Sequence, residues 1–131
     1  MSETDETMPQ KQVLVVDDDT EMLRLIQVIL QNSGYKVLLA NDPLSGLDIA
    51  SKQNPDLIIL DVAMPIIKGW DVLEQLRHNE ATKKIPVIII TADDSIETIN
   101  KAFSFETTAY VSKPFASVKL IDKVNELLEK K

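Results

Sequence analysis

Four unbroken apolar runs punctuate the chain, at Val13-Leu14-Val15-Val16, Val37-Leu38-Leu39-Ala40, Leu57-Ile58-Ile59-Leu60 and Val87-Ile88-Ile89-Ile90, with a shorter one at Ala109-Tyr110-Val111. Runs of this length without polar alternation predict β-strands covered on both faces. Between them the apolar spacing becomes that of a helix. Leu23, Ile26 and Leu30 fall at i, i+3 and i+7, in a segment that Asp19 or Thr20 can cap and Gly34 can stop. A second helix opens at Asp42-Pro43, a capping residue followed by proline at the first helical position, and closes before Asn54-Pro55. A third holds Trp70, Leu73 and Leu76, and a fourth starts near Ser95 with Ile96, Ile99 and Phe103 on one stripe. The fifth carries Leu120, Val124, Leu127 and Leu128 and ends in Lys130-Lys131, cations that suit the negative end of a helix.

Strand and helix thus alternate through the whole chain, which predicts an α/β fold: a parallel sheet with right-handed crossovers and helices on both faces. In open sheets of this kind the ligand site lies beyond the carboxyl ends of the strands. The residues that follow the apolar runs are therefore where chemistry is expected. Asp17-Asp18-Asp19 follow the first run, Asp61 the third, Thr91 the fourth and, after Ser112, Lys113 the fifth; the second is followed by Asn41. Carboxylates converging from adjacent strands repel one another, and a divalent cation removes that conflict. Ligands that are all oxygen, without His or Cys, favour Mg2+, with Mn2+ as a substitute, over zinc. Mg2+ usually takes one or two carboxylates and completes its shell with water and phosphate oxygens. Lys113 can neutralise phosphoryl charge as a mobile point charge, and Thr91 can donate its hydroxyl to a phosphoryl oxygen. Asp61 can then act as nucleophile and become an aspartyl phosphate.

Composition narrows the alternatives. A length of 131 residues suits one domain with one sizeable core. The absence of cysteine excludes disulfides, zinc-thiolate sites and thiol nucleophiles. Acidic residues outnumber basic ones by 21 to 14, for a net charge of −7, and no Lys/Arg cluster offers a footprint for nucleic acid. No apolar run approaches membrane-spanning length, so no membrane association is expected. The start, Met1 to Thr7, is acidic and polar, the opposite of a signal peptide. Residues 1–10 read as a flexible acidic tail and 11–131 as the domain, with a cytoplasmic location by default. Neither the P-loop nor the dinucleotide-binding glycine pattern is present. Asp17-Asp18-Asp19-Thr20 lacks the glycine and terminal glutamate of an EF-hand.

Four segments together resemble the receiver domain of two-component response regulators, in its single-domain, chemotaxis-regulator-like form. Val15-Val16-Asp17-Asp18-Asp19 matches the family's acidic segment. Pro55 to Asp61, followed by Met64-Pro65 and Gly69, matches its phosphoacceptor segment, and Thr91-Ala92 and Tyr110-Val111-Ser112-Lys113-Pro114-Phe115 match the other two. Their order and spacing agree from about residue 11 to residue 129. The resemblance implies a flavodoxin-like (βα)5 three-layer sandwich with strand order 2-1-3-4-5. It implies that Asp61 is the phosphoacceptor and that Asp18, Asp61 and the Ala63 carbonyl bind Mg2+, with Asp17 acting through water. Thr91, the Ala92 amide and Lys113 would hold the phosphoryl oxygens, and Thr91 and Tyr110 would form the switch. The surface of the fourth helix, fifth strand and fifth helix would be the readout face for a downstream protein. The donor would be a sensor histidine kinase or histidine phosphotransfer protein, and the domain would be a monomer or a phosphorylation-dependent dimer. It would be a phosphoacceptor that catalyses its own phosphorylation and dephosphorylation, not a turnover enzyme. Departures from the usual pattern stand at Ala63, Lys68 and Glu106, and none removes a chemical group.

Each residue also has a plainer reading. The Asp17–Asp19 triplet can cap a helix, Asp61 can start a loop, and Thr91 and Lys113 can be ordinary loop residues. Lys113-Pro114 reads as a turn whose bond can be cis. Trp70 reads as partial core, Tyr110 alternatively as a static core aromatic, and His78 as a solvated surface residue. Two other functions compete. A haloacid-dehalogenase-like phosphohydrolase needs Asp-x-Asp-x-Thr/Val, of which Asp17 and Asp19 supply the first part while Glu21 occupies the last position. A phosphate-independent pseudo-receiver would not need the full acidic, Thr and Lys set. Nothing past the fifth helix reads as an output domain, which leaves a stand-alone regulator and an excised receiver both open.

Overall fold

Each apolar run becomes a strand and each helical pattern a helix. A computed structural model describes residues 10–62, 69–92, 95–104 and 109–129. The strands are β1 (Gln12–Val16), β2 (Lys36–Ala40), β3 (Leu57–Asp61), β4 (Val87–Thr91) and β5 (Ala109–Ser112). They form one sheet of order β2-β1-β3-β4-β5, parallel throughout. The helices are α1 (Thr20–Asn32), α2 (Pro43–Gln53), α3 (Gly69–His78), α4 (Ile96–Ser104) and α5 (Ser117–Glu129). Expectations about residues 1–9, Ala63, Met64-Pro65, Lys68, Glu106 and Lys130-Lys131 lie outside the described residues.

Side chains alternate across the pleat, so consecutive strand residues enter opposite cores. Val13, Val15, Ile59, Ile88 and Ile90 pack with Leu23, Ile26 and Leu30 of α1 and Leu120 and Val124 of α5. Leu14, Val16, Leu60 and Ile89 pack with Ala50 of α2, Leu73 and Leu76 of α3 and Ala102 of α4. The sheet is thus the middle of three layers. The central strands β3 and β4 are buried along their whole length.

The caps lie where side-chain chemistry allows them. Asp19, not Thr20, caps α1, and Gly34 follows that helix at φ 95°. Asp42 accepts from the Ser45 amide ahead of Pro43, and Asn54 closes α2 in the left-handed conformation. The Thr98 amide donates to Ser95 Oγ at the start of α4.

One expectation needs correction, and one stripe takes its direction only from the fold. Coverage on both faces fails for β2, where Lys36 is exposed and Val37, Leu38 and Leu39 are only half-buried. The reason is position: β2 is an edge strand, which the flanking helices overlap incompletely. The apolar stripe of α4 also turns largely outward. Ile96 is 75% and Phe103 57% exposed, while the small Ala102 is the fully buried residue. Helical spacing defines a face but not which face meets the sheet. Trp70 is half-buried against the core, and His78 is exposed at the end of α3, both as expected.

Candidate metal and phosphoryl site

The parallel register brings the chemistry together. Val16 of β1 stands beside Leu60 of β3, so Asp17 and Asp61 leave the sheet side by side. The Asp17 amide still donates to Ala40 O at 3.1 Å, which extends the β1–β2 ladder by one bond. Thr91, the last residue of β4, is buried and stands opposite Ser112. The Lys113 amide donates to the Thr91 carbonyl at 2.8 Å. That bond sets the root of the lysine beside the end of β4, just before a cis Lys113–Pro114 peptide bond.

From there Lys113 Nζ reaches back across the strand ends. It donates to Asp61 Oδ2 at 3.0 Å and to Asp17 Oδ2 at 3.1 Å. Asp17 is fully buried and Asp61 almost so, whereas Asp18 is exposed. The other oxygen of Asp17, Oδ1, accepts from the Asp19 amide at 3.0 Å. Asp17, Asp18 and Asp61 each offer a carboxylate oxygen within 4.8 Å of the others.

Burial pushes the Asp17 carboxyl up to about 6; the nearby Asp61 charge adds to this, while the Asp19 amide and Lys113 oppose it. Burial also works against the Lys113 ammonium, but the hydrogen bonds and charges of Asp61 and Asp17 outweigh it and raise its pKa. One ammonium therefore serves two buried carboxylates, with a third carboxylate beside them. Such a set carries excess negative charge at neutral pH, which a hard divalent cation with oxygen ligands suits. Mg2+ fits the donor chemistry: oxygens only, at least two carboxylates, and an open side at the exposed Asp18.

Of the residues singled out from the sequence, Asp17, Asp18, Asp61 and Lys113 converge directly. Thr91 joins them through its carbonyl bond to Lys113, and Ala92 follows as an exposed residue at the same edge. Tyr110 sits half-buried on β5 opposite Ile89, packed against the core cluster that contains Leu60 and Ile89. Ala63 is outside the described residues. Two features escaped the sequence reasoning. Lys113 bridges Asp17 as well as Asp61, a contact across 96 positions that no local pattern encodes. Asp19 links the site to α1 through both its amide and its side chain. Its capping propensity was the only signal available.

Comparison with known proteins agrees with the geometry. The family model described as "Response regulator receiver domain" matches residues 13–125. The chain is 36% identical over 122 residues to the alkaline phosphatase synthesis transcriptional regulatory protein PhoP of Bacillus subtilis, covering 92% of this chain and 49% of the relative. It is 34% identical over 118 residues to the DNA-binding dual master transcriptional regulator RpaA of Synechocystis, covering 90% and 49%. The chain spans about half the length of such curated relatives. Among solved structures, Vibrio cholerae chemotaxis protein CheY4 superposes with a TM-score of 0.86 at 29% identity, covering 91% of this chain and 99% of that one. The Francisella response regulator 1452 receiver domain does so with a TM-score of 0.85 at 31% identity, covering 92% and 98%. With its acidic triplet, its Asp61 and its Lys113 gathered at one edge of a 2-1-3-4-5 sheet, the chain belongs to the response regulator receiver domain family.

Proposed function

We propose that Asp61 accepts a phosphoryl group from a phosphohistidine on a sensor histidine kinase or phosphotransfer protein, and that its phosphorylation switches a protein-binding surface. The convergence of Asp17, Asp18 and Asp61 oxygens within 4.8 Å, bridged by Lys113, carries this reading. Asp18 and Asp61 would hold Mg2+, with the Ala63 carbonyl as a further ligand and Asp17 through water. Bound there, the cation supplies charge neutralisation for the incoming phosphoryl oxygens.

A carboxylate oxygen of Asp61 attacks phosphorus, the N–P bond breaks, and its electron pair stays on the departing imidazole. Lys113 exchanges its carboxylate partners for a phosphoryl oxygen, and the Thr91 hydroxyl and Ala92 amide donate to the others. Burial of Asp61 limits access by bulk water. Movement of Thr91 toward the phosphoryl group leaves room into which Tyr110 turns, and the surface of α4, β5 and α5 is the readout face. The domain acts as a stoichiometric acceptor that promotes its own phosphorylation and dephosphorylation, in the cytoplasm, as a monomer or a phosphorylation-dependent dimer. The transcriptional-regulator names of its relatives support a downstream role in regulation. Among the described residues no helix is long and apolar enough to cross a membrane.

Incubation with Mg2+ and a small acyl phosphate tests the reading. Intact mass and peptide mapping should show one phosphoryl adduct, on Asp61, absent from Asp61→Asn. Label on Asp17, or steady phosphate release from many substrates, would indicate a hydrolase instead. No adduct under any condition would leave a phosphate-independent module. Tyr110→Ala should remove the phosphate dependence of partner binding while leaving the adduct.

A further inference from the structure

We propose that Asp19 is a positioning residue for the cation site, acting through the turn it caps and not through its charge. This rests on the reading of Asp17, Asp18 and Asp61 as the carboxylates that attract Mg2+. Asp19 is tied in three ways. Its amide donates to Asp17 Oδ1 at 3.0 Å. Its side-chain Oδ1 accepts from the Glu21 amide at 3.0 Å and from the Met22 amide at 3.3 Å. Its carbonyl accepts from the Leu23 amide at 3.0 Å, within the first turn of α1.

These bonds form a chain from helix to site. The cap holds Asp19 in an extended conformation, φ −89° and ψ 106°, and that conformation aims its amide at Asp17. The amide occupies one oxygen of a fully buried carboxylate and leaves the other, Oδ2, facing Lys113. Asp18 lies between the two anchored neighbours. Its exposed carboxylate gets no rigidity from packing, so its direction depends on the backbone that Asp17 and Asp19 hold. The side chain of Asp19 itself is turned to the helix amides, and the carboxylate group that could hold an ion comprises Asp17, Asp18 and Asp61. Hydrogen-bond partners of this supporting kind commonly govern metal affinity by about 10- to 100-fold.

The test measures Mg2+ affinity by calorimetry on the full chain, for the parent and for Asp19→Ala, Asp19→Asn, Asp19→Ser, Asp42→Ala and Asp18→Ala. Asp19→Ala should weaken Mg2+ by about 10-fold. Asn and Ser cap helices nearly as well as Asp, so those variants should stay within about twofold of the parent. Asp42→Ala removes the matching cap from α2, whose carboxylate is not one of the three that could hold an ion, and should leave Mg2+ affinity unchanged while lowering thermal stability. The proposal is overturned if Asp19→Ala binds like the parent. It is equally overturned if Asn and Ser weaken binding as much as Ala, which would assign the effect to charge. A loss in Asp42→Ala equal to that in Asp19→Ala would assign it to general destabilisation. If the parent does not bind Mg2+, or Asp18→Ala binds as tightly as the parent, the cation reading itself falls and takes this proposal with it.

Discussion

Asp17 and Lys113 show how the site is poised before any phosphoryl group arrives. Burial removes water from Asp17 and raises its pKa from 3.8 to about 6. A carboxyl whose pKa is higher folded than unfolded holds more protons in the folded state across that interval. Its contribution to the stability of the metal-free protein therefore falls as pH rises from about 4 to about 6. Asp17→Asn has no such proton to lose. Urea unfolding in chelator should show the parent losing on the order of 1–3 kcal/mol relative to Asp17→Asn between about pH 4 and about pH 6.5. Parallel stability profiles would mean that Asp17 is not strained by its burial. Burial of the ionised Asp17 carboxylate carries a cost that a divalent cation beside it would offset.

At the scale of elements, α2 is set against the end of β1 by a missing side chain. A Cβ added at Gly46 would stand 2.9 Å and 3.1 Å from the two γ-carbons of Val16. Val16 is buried, β-branched and stiff, and it immediately precedes Asp17. Alanine in place of a helical glycine would by itself gain roughly 1 kcal/mol of helix propensity. Overpacking against a rigid valine typically costs about 1–3 kcal/mol, so Gly46→Ala should be net destabilising in urea unfolding by about 1 kcal/mol. A more stable variant would show that the α2–β1 contact yields freely. Asp42 and Pro43 hold the start of the same helix, and the Ser45 amide bond lowers the Asp42 pKa.

At the scale of the molecule, the site exists only when the sheet is assembled. Lys113 and Asp17 are 96 positions apart, and Lys113 and Asp61 are 52 apart. The unfolded chain cannot gather these groups, so cation binding adds to folding stability. At a Mg2+ concentration 100 times its dissociation constant the gain is about 2.7 kcal/mol. For a domain of this size that should raise the thermal midpoint by roughly 8–14 °C. Asp18→Ala should lose most of that rise. An equal rise in the variant would mean that Mg2+ stabilises the fold away from these carboxylates.

Much of this was legible in the chain itself, because some determinants are local. Apolar runs at Leu57–Leu60 and Val87–Ile90 define buried strands, and Asp42-Pro43, Gly34 and Asn54 mark helix ends, since caps and left-handed turns depend on a few adjacent residues. The placing of acids, a threonine and a lysine after successive strands follows from alternation alone, because parallel strands all deliver their carboxyl ends to one edge. Strand order was not contained in the periodicity; it entered through resemblance to a family. Tertiary structure alone decided what depends on distant pairing. It made β2 an edge strand and left it half-covered, and it turned Ala102 inward while Ile96 and Phe103 faced out. It also carried Lys113 across to both Asp17 and Asp61. Periodicity says which residues share a face; only the assembled sheet decides what that face meets.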